Sequence, residues 1–192
     1  RHGHDVVAMR SMSRFAAVAA VVALTAFAPG SVRAADDARG KEIYQLCAQC
    51  HGPAGEGNQL ALAPAIAGLG DWYIKAQLQN FKSGARGMHP EDTAGLRMYP
   101  MSQTLKTDAD IEAIAAYVAA MPPVRPAPVL TGGDPARGAQ LYQVCLTCHG
   151  PEGVGNPAVQ SPRIAGASDW YLLSSLQKFK AVIRGPYPTA TI

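Results

Sequence analysis

The pentapeptide Cys47-Ala48-Gln49-Cys50-His51 recurs as Cys145-Leu146-Thr147-Cys148-His149, 98 residues further along the chain. The two copies hold all four cysteines, so no pair is left for a structural disulfide. Two thiols three positions apart can each form a thioether with a haem vinyl group, and a histidine that follows at once can reach the iron from below. A zinc ribbon also uses two C-x-x-C pairs, but it sets them roughly 15 to 20 residues apart. Here 94 residues lie between Cys50 and Cys145. A thioredoxin-like redox pair gives no reason for the adjacent histidine. The pattern therefore points to two covalently attached haem c groups with their iron. Cys47, Cys50, Cys145 and Cys148 are the attachment residues, and His51 and His149 are the iron ligands.

The repeat extends well beyond the pentapeptide. Ala38-Arg39-Gly40 matches Ala136-Arg137-Gly138, and Tyr44-Gln45 matches Tyr142-Gln143. Each haem motif is followed by Gly-Pro-x-Gly-x-Gly-Asn, and Pro64, Ile66-Ala67-Gly68, Asp71-Trp72-Tyr73, Phe81-Lys82 and Arg86-Gly87 recur at the same offset. About half of the positions from Ala38 to Gly87 are identical to their counterparts, without a gap. Such collinearity means a duplicated small domain. Pro122 to Pro135, with five prolines and two glycines in fourteen positions, reads as an extended linker.

The N-terminus carries a different signal. Met9 to Arg14 is basic, Phe15 to Phe27 is an uncharged apolar run, and Val32-Arg33-Ala34 offers small residues for cleavage, which together read as a secretory signal peptide. A run of 13 residues falls short of the roughly 20 that span a bilayer. The expectation is an exported, periplasmic chain that begins near Ala35, with no membrane span after cleavage; Arg1 to Ala8 precede the first methionine and are set aside. Without residues 1–34, 13 basic and 13 acidic residues remain. Nothing in that balance argues for nucleic acid as a partner, which would need a clear basic surplus, and none is expected. The division is then 1–34 for upstream residues plus signal peptide, 35–121 for a first domain, 122–135 for the linker and 136–192 for a second, incomplete domain.

Periodicity predicts three helices in the first copy. The first runs from about Ala38 to Cys47, with Ile43, Leu46 and Cys47 on one face. Gly52 to Gly70 is a long Gly/Pro-rich loop of the kind that wraps a ligand. Asp71 could cap a second helix through Phe81, ended by Gly84 and Gly87. Thr107 with Asp110 resembles a capping box for a third, which Pro122 and Pro123 stop.

At these residues the chain resembles the class I cytochromes c, and the tandem arrangement resembles the dihaem cytochrome c4 group. The carriers are the C-x-x-C-H-G-x-x-G-x-G string, the Pro-x-Ile-Ala-Gly turn, and Leu-x-x-Asp-x-Asp-Ile-x-x-Ile-Ala-Ala-Tyr ending at Tyr117. The match covers Asp36 to Pro122 as a complete domain and Asp134 to about Pro188 as an incomplete one. It implies an all-α fold of two tandem class I cytochrome c domains, each a small helical bundle around its haem, the second truncated. It further implies that His51 and His149 are proximal ligands, each oriented by a proline carbonyl, Pro64 and Pro162. On the same resemblance the distal ligand is expected to be a methionine of the segment before the last helix: Met98, with Met101 as the alternative. Met88, Met121 and His89 are weaker claimants by position.

No methionine follows Met121, so the second haem lacks a distal thioether in the chain as written. Either the chain is a truncated or frameshifted product, or that haem is five-coordinate and open. The resemblance implies a one-electron carrier, not an enzyme, whose partners are redox proteins such as a terminal oxidase or a membrane quinol-oxidising complex. A haem c subunit of a periplasmic dehydrogenase complex is the alternative. A ligand-binding or peroxidase-like protein with an open second haem is a third reading, although the second half offers no distal acid-base histidine.

Overall fold

The computed structural model describes residues 29–184, with side chains from Asp37 onward. Most of the expected leader over residues 1–34 and the whole tail Tyr187 to Ile192 lie outside the described residues. The described elements are α1 (Pro29–His51), α2 (Asp71–Lys82), α3 (Thr93–Ser102), α4 (Asp108–Ala120), α5 (Pro135–His149) and α6 (Asp169–Lys180), with a 3-10 turn at Pro157–Val159. Among the described residues the only β pairing is two isolated bridges, Asn58 with Ala63 and Asn156 with Ser161, so the all-α expectation holds. No described helix is long and apolar enough to cross a membrane.

The first half is organised by the crossing of α1 and α4. Gly40 sits at the contact, where a methyl group would come within 2.4 Å of the Ala113 carbonyl oxygen and 2.6 Å of Tyr117 Cβ. Only a residue without a side chain lets the two backbones approach so closely. Around that contact Tyr44, Leu105, Ile111, Ile114 and Val118 form the buried core, with Ile43, Cys47, Ile66 and Leu78 packed on it. Arg39 clamps the crossing from the rim, as its Nε and Nη2 donate to Asp110 Oδ1 at 2.9 and 2.7 Å.

Asp110 also completes the capping box expected from the sequence. Thr107 Oγ1 accepts from the Asp110 amide, and Asp110 Oδ2 accepts from the Thr107 amide, both at 3.1 Å. Three expectations need correction. First, α1 continues through Gln49 and Cys50 to His51, so the whole C-x-x-C-H motif lies on its last turns. Second, Gly70, not Asp71, is the N-cap of α2; Asp71 sits in the first turn, 3.4 Å from Lys75, where a carboxylate suits the helix dipole. Third, the first half holds four helices instead of three, because the segment with Met98 and Met101 forms α3, despite Pro100, as Asp92 caps it and the proline falls near its end.

The second half repeats the first as far as α6, but its packing differs. Among the described residues every buried apolar side chain precedes Met121, whereas the buried side chains after it are Ser161, Ser168 and Ser175. The segment between the halves is tied down at Asp169 Oδ2, which accepts from the Val129 and Leu130 amides at 2.9 and 2.8 Å. The halves also touch directly. Arg86 Nη2 donates to Tyr171 Oη at 3.2 Å, and its repeat partner Arg184 donates to Tyr73 Oη at 3.1 Å.

Candidate haem sites in the two halves

The first site is built at the end of α1. Cys47 and Cys50 are free thiols, the first half-buried and the second exposed, and His51 follows with only 7% of its surface accessible. His51 Nδ1 lies 2.8 Å from the Pro64 carbonyl oxygen. A carbonyl only accepts, so the proton sits on Nδ1 and the Nε2 lone pair is left for a metal. Burial lowers the imidazole pKa, partly opposed by the Pro64 bond, which favours the neutral form that a ligand must have. Burial also pushes the Cys47 thiol up to about 11, which favours its protonated form.

The glycines of the following loop bring Pro64 to the histidine. Gly57 has φ +83°, and a Cβ there would lie 2.5 Å from the Ala65 amide nitrogen. Gly57 donates to the His51 carbonyl at 2.8 Å, so the loop returns against the end of α1. Tyr44 Oη donates to the Gly52 carbonyl at 2.6 Å and fastens the same corner from inside the core.

The second site repeats these contacts closely. His149 Nδ1 is 2.8 Å from the Pro162 carbonyl, Tyr142 Oη donates to the Gly150 carbonyl at 2.7 Å, and Gly155 meets the Arg163 amide as Gly57 meets Ala65. Ser161 stands where the first half has Ala63, and its Oγ lies 3.0 Å from His149 Nδ1 as a second acceptor for that proton. Cys145 and Cys148 are both exposed. The two free thiols and an imidazole held in a fixed tautomer fit covalent haem with histidine ligation in each half.

Met98 and Met101 are both half-buried, three residues apart on α3 and so on one side of it. Arg97, next to Met98, donates to the Ala61 carbonyl at 2.8 Å and joins α3 to the loop that carries Pro64. Met88 is 52% exposed in the turn after α2, and Met121 is the C-cap of α4 against the core. His89 accepts from the Glu91 amide through Nδ1 at 3.2 Å.

Sequence reasoning missed two functions that the repeat had marked. The tyrosines Tyr44 and Tyr142 stand in the sequence only as a matched pair, and each closes a haem-motif corner. Trp72-Tyr73 recurs as Trp170-Tyr171, and Tyr73 and Tyr171 carry the hydroxyls that Arg184 and Arg86 reach across the two halves. Recurrence of Arg-Gly alongside Trp-Tyr was the available signal, because residues kept in both copies at an interface can pair with each other's counterparts.

The cytochrome c family model matches residues 38–122 and again 135–190. The chain is 33% identical over 157 residues to cytochrome c4 of Azotobacter vinelandii, covering 77% of this chain and 73% of that protein. It is 33% identical over 179 residues to the thiosulfate dehydrogenase electron acceptor of Thiomonas intermedia strain K12, covering 88% and 76%. The crystal structure of reduced recombinant cytochrome c4 from Pseudomonas stutzeri superposes with a TM-score of 0.62 at 29% identity, covering 78% of this chain and 82% of that one. With two family matches, each containing one copy of the motif that recurs after 98 residues, the chain belongs to the cytochrome c family as a cytochrome c4-like dihaem electron-transfer protein that carries haem c covalently in both halves.

Proposed function

We propose that this cytochrome works as an exported, periplasmic one-electron carrier between respiratory complexes, passing electrons to a terminal oxidase or a comparable redox partner. Cys47 and Cys50 hold the first haem, with His51 as proximal and Met98 as distal ligand, and Met101 is the alternative to Met98. Cys145, Cys148 and His149 hold the second. The observation that carries this reading is the duplicated ligand geometry, with His51 and His149 each fixed at 2.8 Å to a proline carbonyl thirteen residues on. In each half the protein attaches the group, sets the tautomer of its ligand and excludes water from part of its surface, while the redox chemistry is the iron's own.

The near balance of charge outside residues 1–34 suits docking through a small, partly apolar patch at a haem edge, in a transient complex at the low end of interface size. The test is a pyridine haemochrome assay on protein expressed with its full leader in a host that matures c-type cytochromes. Two haems per chain in the periplasmic fraction are expected, falling to one for Cys47→Ala/Cys50→Ala and to one for Cys145→Ala/Cys148→Ala. Two haems in either double variant would refute the assignment. A second reading, a haem c subunit of a periplasmic dehydrogenase complex, is favoured by the likeness to a thiosulfate dehydrogenase electron acceptor. Copurification of a larger catalytic subunit with the tagged chain would select it.

A further inference from the structure

Asp92 is the most confined carboxylate of the described chain. Its side chain is 3% exposed, its Oδ1 accepts from the Gly95 amide at 3.0 Å as the N-cap of α3, and its own amide donates to the His89 carbonyl at 2.9 Å. The start of α3 is wedged around it. A methyl group on Gly95 would fall 2.1 Å from Asp92 Oδ2, and one on Gly87 would fall 2.4 Å from the Gly95 carbonyl oxygen. A buried carboxylate in such a place needs a cation, or it must take up a proton or force its surroundings open.

That cation comes from the other half. Lys178 Nζ on α6 donates to Asp92 Oδ1 at 2.7 Å, with the lysine side chain 20% exposed. The repeat counterpart of Lys178 is Asn80, so the duplication did not supply this charge. Arg86 is a further positive group acting on Asp92, and it is held by Gln77 at 2.5 Å and by Tyr171 of α6 at 3.2 Å. Burial raises the Asp92 pKa, but the bonds from Lys178 and Gly95 outweigh it and hold the carboxyl below its ordinary value. α3 continues from this cap to Met98 and Met101, and Arg97 anchors it to the Ala61 carbonyl beside the proximal loop.

We propose that Lys178, a residue of the second half, is a positioning residue for the distal ligand of the first haem: by pairing with Asp92 it fixes the start of α3, the helix that carries Met98 and Met101. The inference rests on the reading that one of these methionines ligates the first iron. It makes the first site a joint product of both halves, although its own ligands all lie in one.

The experiment uses the full haem-loaded chain. Its readouts are the far-red methionine-to-iron charge-transfer band of the oxidised protein and the midpoint potential of each haem. Lys178→Met removes the charge and keeps the stem, and Lys178→Arg keeps the charge. Lys178→Met is expected to weaken the band, with about a tenfold rise in the ratio of methionine-free to methionine-bound iron, and to lower one potential while the haem count stays at two. Lys178→Arg should restore both. If Lys178→Met fails to fold, Asp92→Asn takes its place, since the carboxamide keeps the cap acceptor and loses the charge; the same direction is expected. A variant that holds two haems with an unchanged band and unchanged potentials overturns the proposal. Met98→Leu and Met101→Leu separate the two levels. Loss of the band in one of them with no response to Lys178→Met removes only the positioning role, whereas persistence of the band in both removes the ligand reading and the proposal with it.

Discussion

Tyr44 and Tyr142 close the same corner at 2.6 and 2.7 Å, and His51 and His149 reach their prolines at the same 2.8 Å, yet the surroundings of the two sites differ sharply. In the first half Phe81 is 5% exposed and Tyr44 2%; in the second, Phe179 is 52% exposed, Leu176 66% and Leu141 60%. The site contacts span at most thirteen residues of chain, so each half makes them from its own local sequence. The core contacts need α4, which lies more than fifty residues after α1. Among the described residues nothing stands against α5 as α4 stands against α1, and a methyl group on Gly138 would meet no atom within 4 Å. Site geometry is thus a local property of this family's repeat, whereas burial of the site is a property of the closed bundle.

The comparison can be broken by equivalent substitutions in the two halves. The largest contrast is expected for phenylalanine. Phe81→Ala removes a buried ring under Arg86 and should cost about 3 to 5 kcal/mol, whereas Phe179→Ala, half exposed already, should cost about 1 kcal/mol. Chemical denaturation of the haem-loaded protein followed by far-UV circular dichroism measures both, and equal losses would contradict the asymmetry.

Next come the paired glycines, where the two effects have opposite signs. Gly40→Ala drives a methyl group into the α4 backbone and should destabilise by about 1 to 3 kcal/mol. Gly138→Ala meets open space on a helix and should stabilise by about 0.5 to 1 kcal/mol through propensity alone. A loss at Gly138 like that at Gly40 would show that a helix covers α5 in solution.

Acid should separate the halves more gently. The hydrogen bond from Arg39, with those of the Thr107 and Lys106 amides, holds Asp110 at about 2 against burial. A carboxyl depressed in the folded state adds stability above its ordinary value near 4, and that contribution is lost as pH falls through 2. Arg137, the counterpart of Arg39, makes no ion pair among the described residues. Loss of first-half structure between about pH 4 and pH 2 should therefore be shallower in Asp110→Asn than in the parent. An unchanged acid profile in that variant would remove the Arg39 pair from the account.

Much of this was legible without coordinates. The haem motifs, their pitch of 98 residues, the capping box at Thr107 and the glycine-rich loop all depend on residues close in sequence, and each stands in the structure where its pattern implied. α3 was not legible, because Gly95 and Pro100 speak against a helix and the Asp92 cap that favours one pairs with a lysine of the other half. Lys178 itself reads as a surface lysine near the end of an amphipathic helix.

The amino-acid sequence by itself determined that this protein binds two haems, which thiols and imidazoles are suited to hold them, and that its parts are helices in duplicate. These follow from chemistry acting over a few residues. Tertiary structure alone decided that the duplicates are unequal, since burial depends on which helix crosses which. It also decided that the two halves meet through swapped arginine and tyrosine partners and that a lysine of one pairs with the carboxylate that caps the methionine helix of the other. No sequence spacing encodes contacts between groups 85 or more residues apart; they exist because folding carries the chain back upon itself.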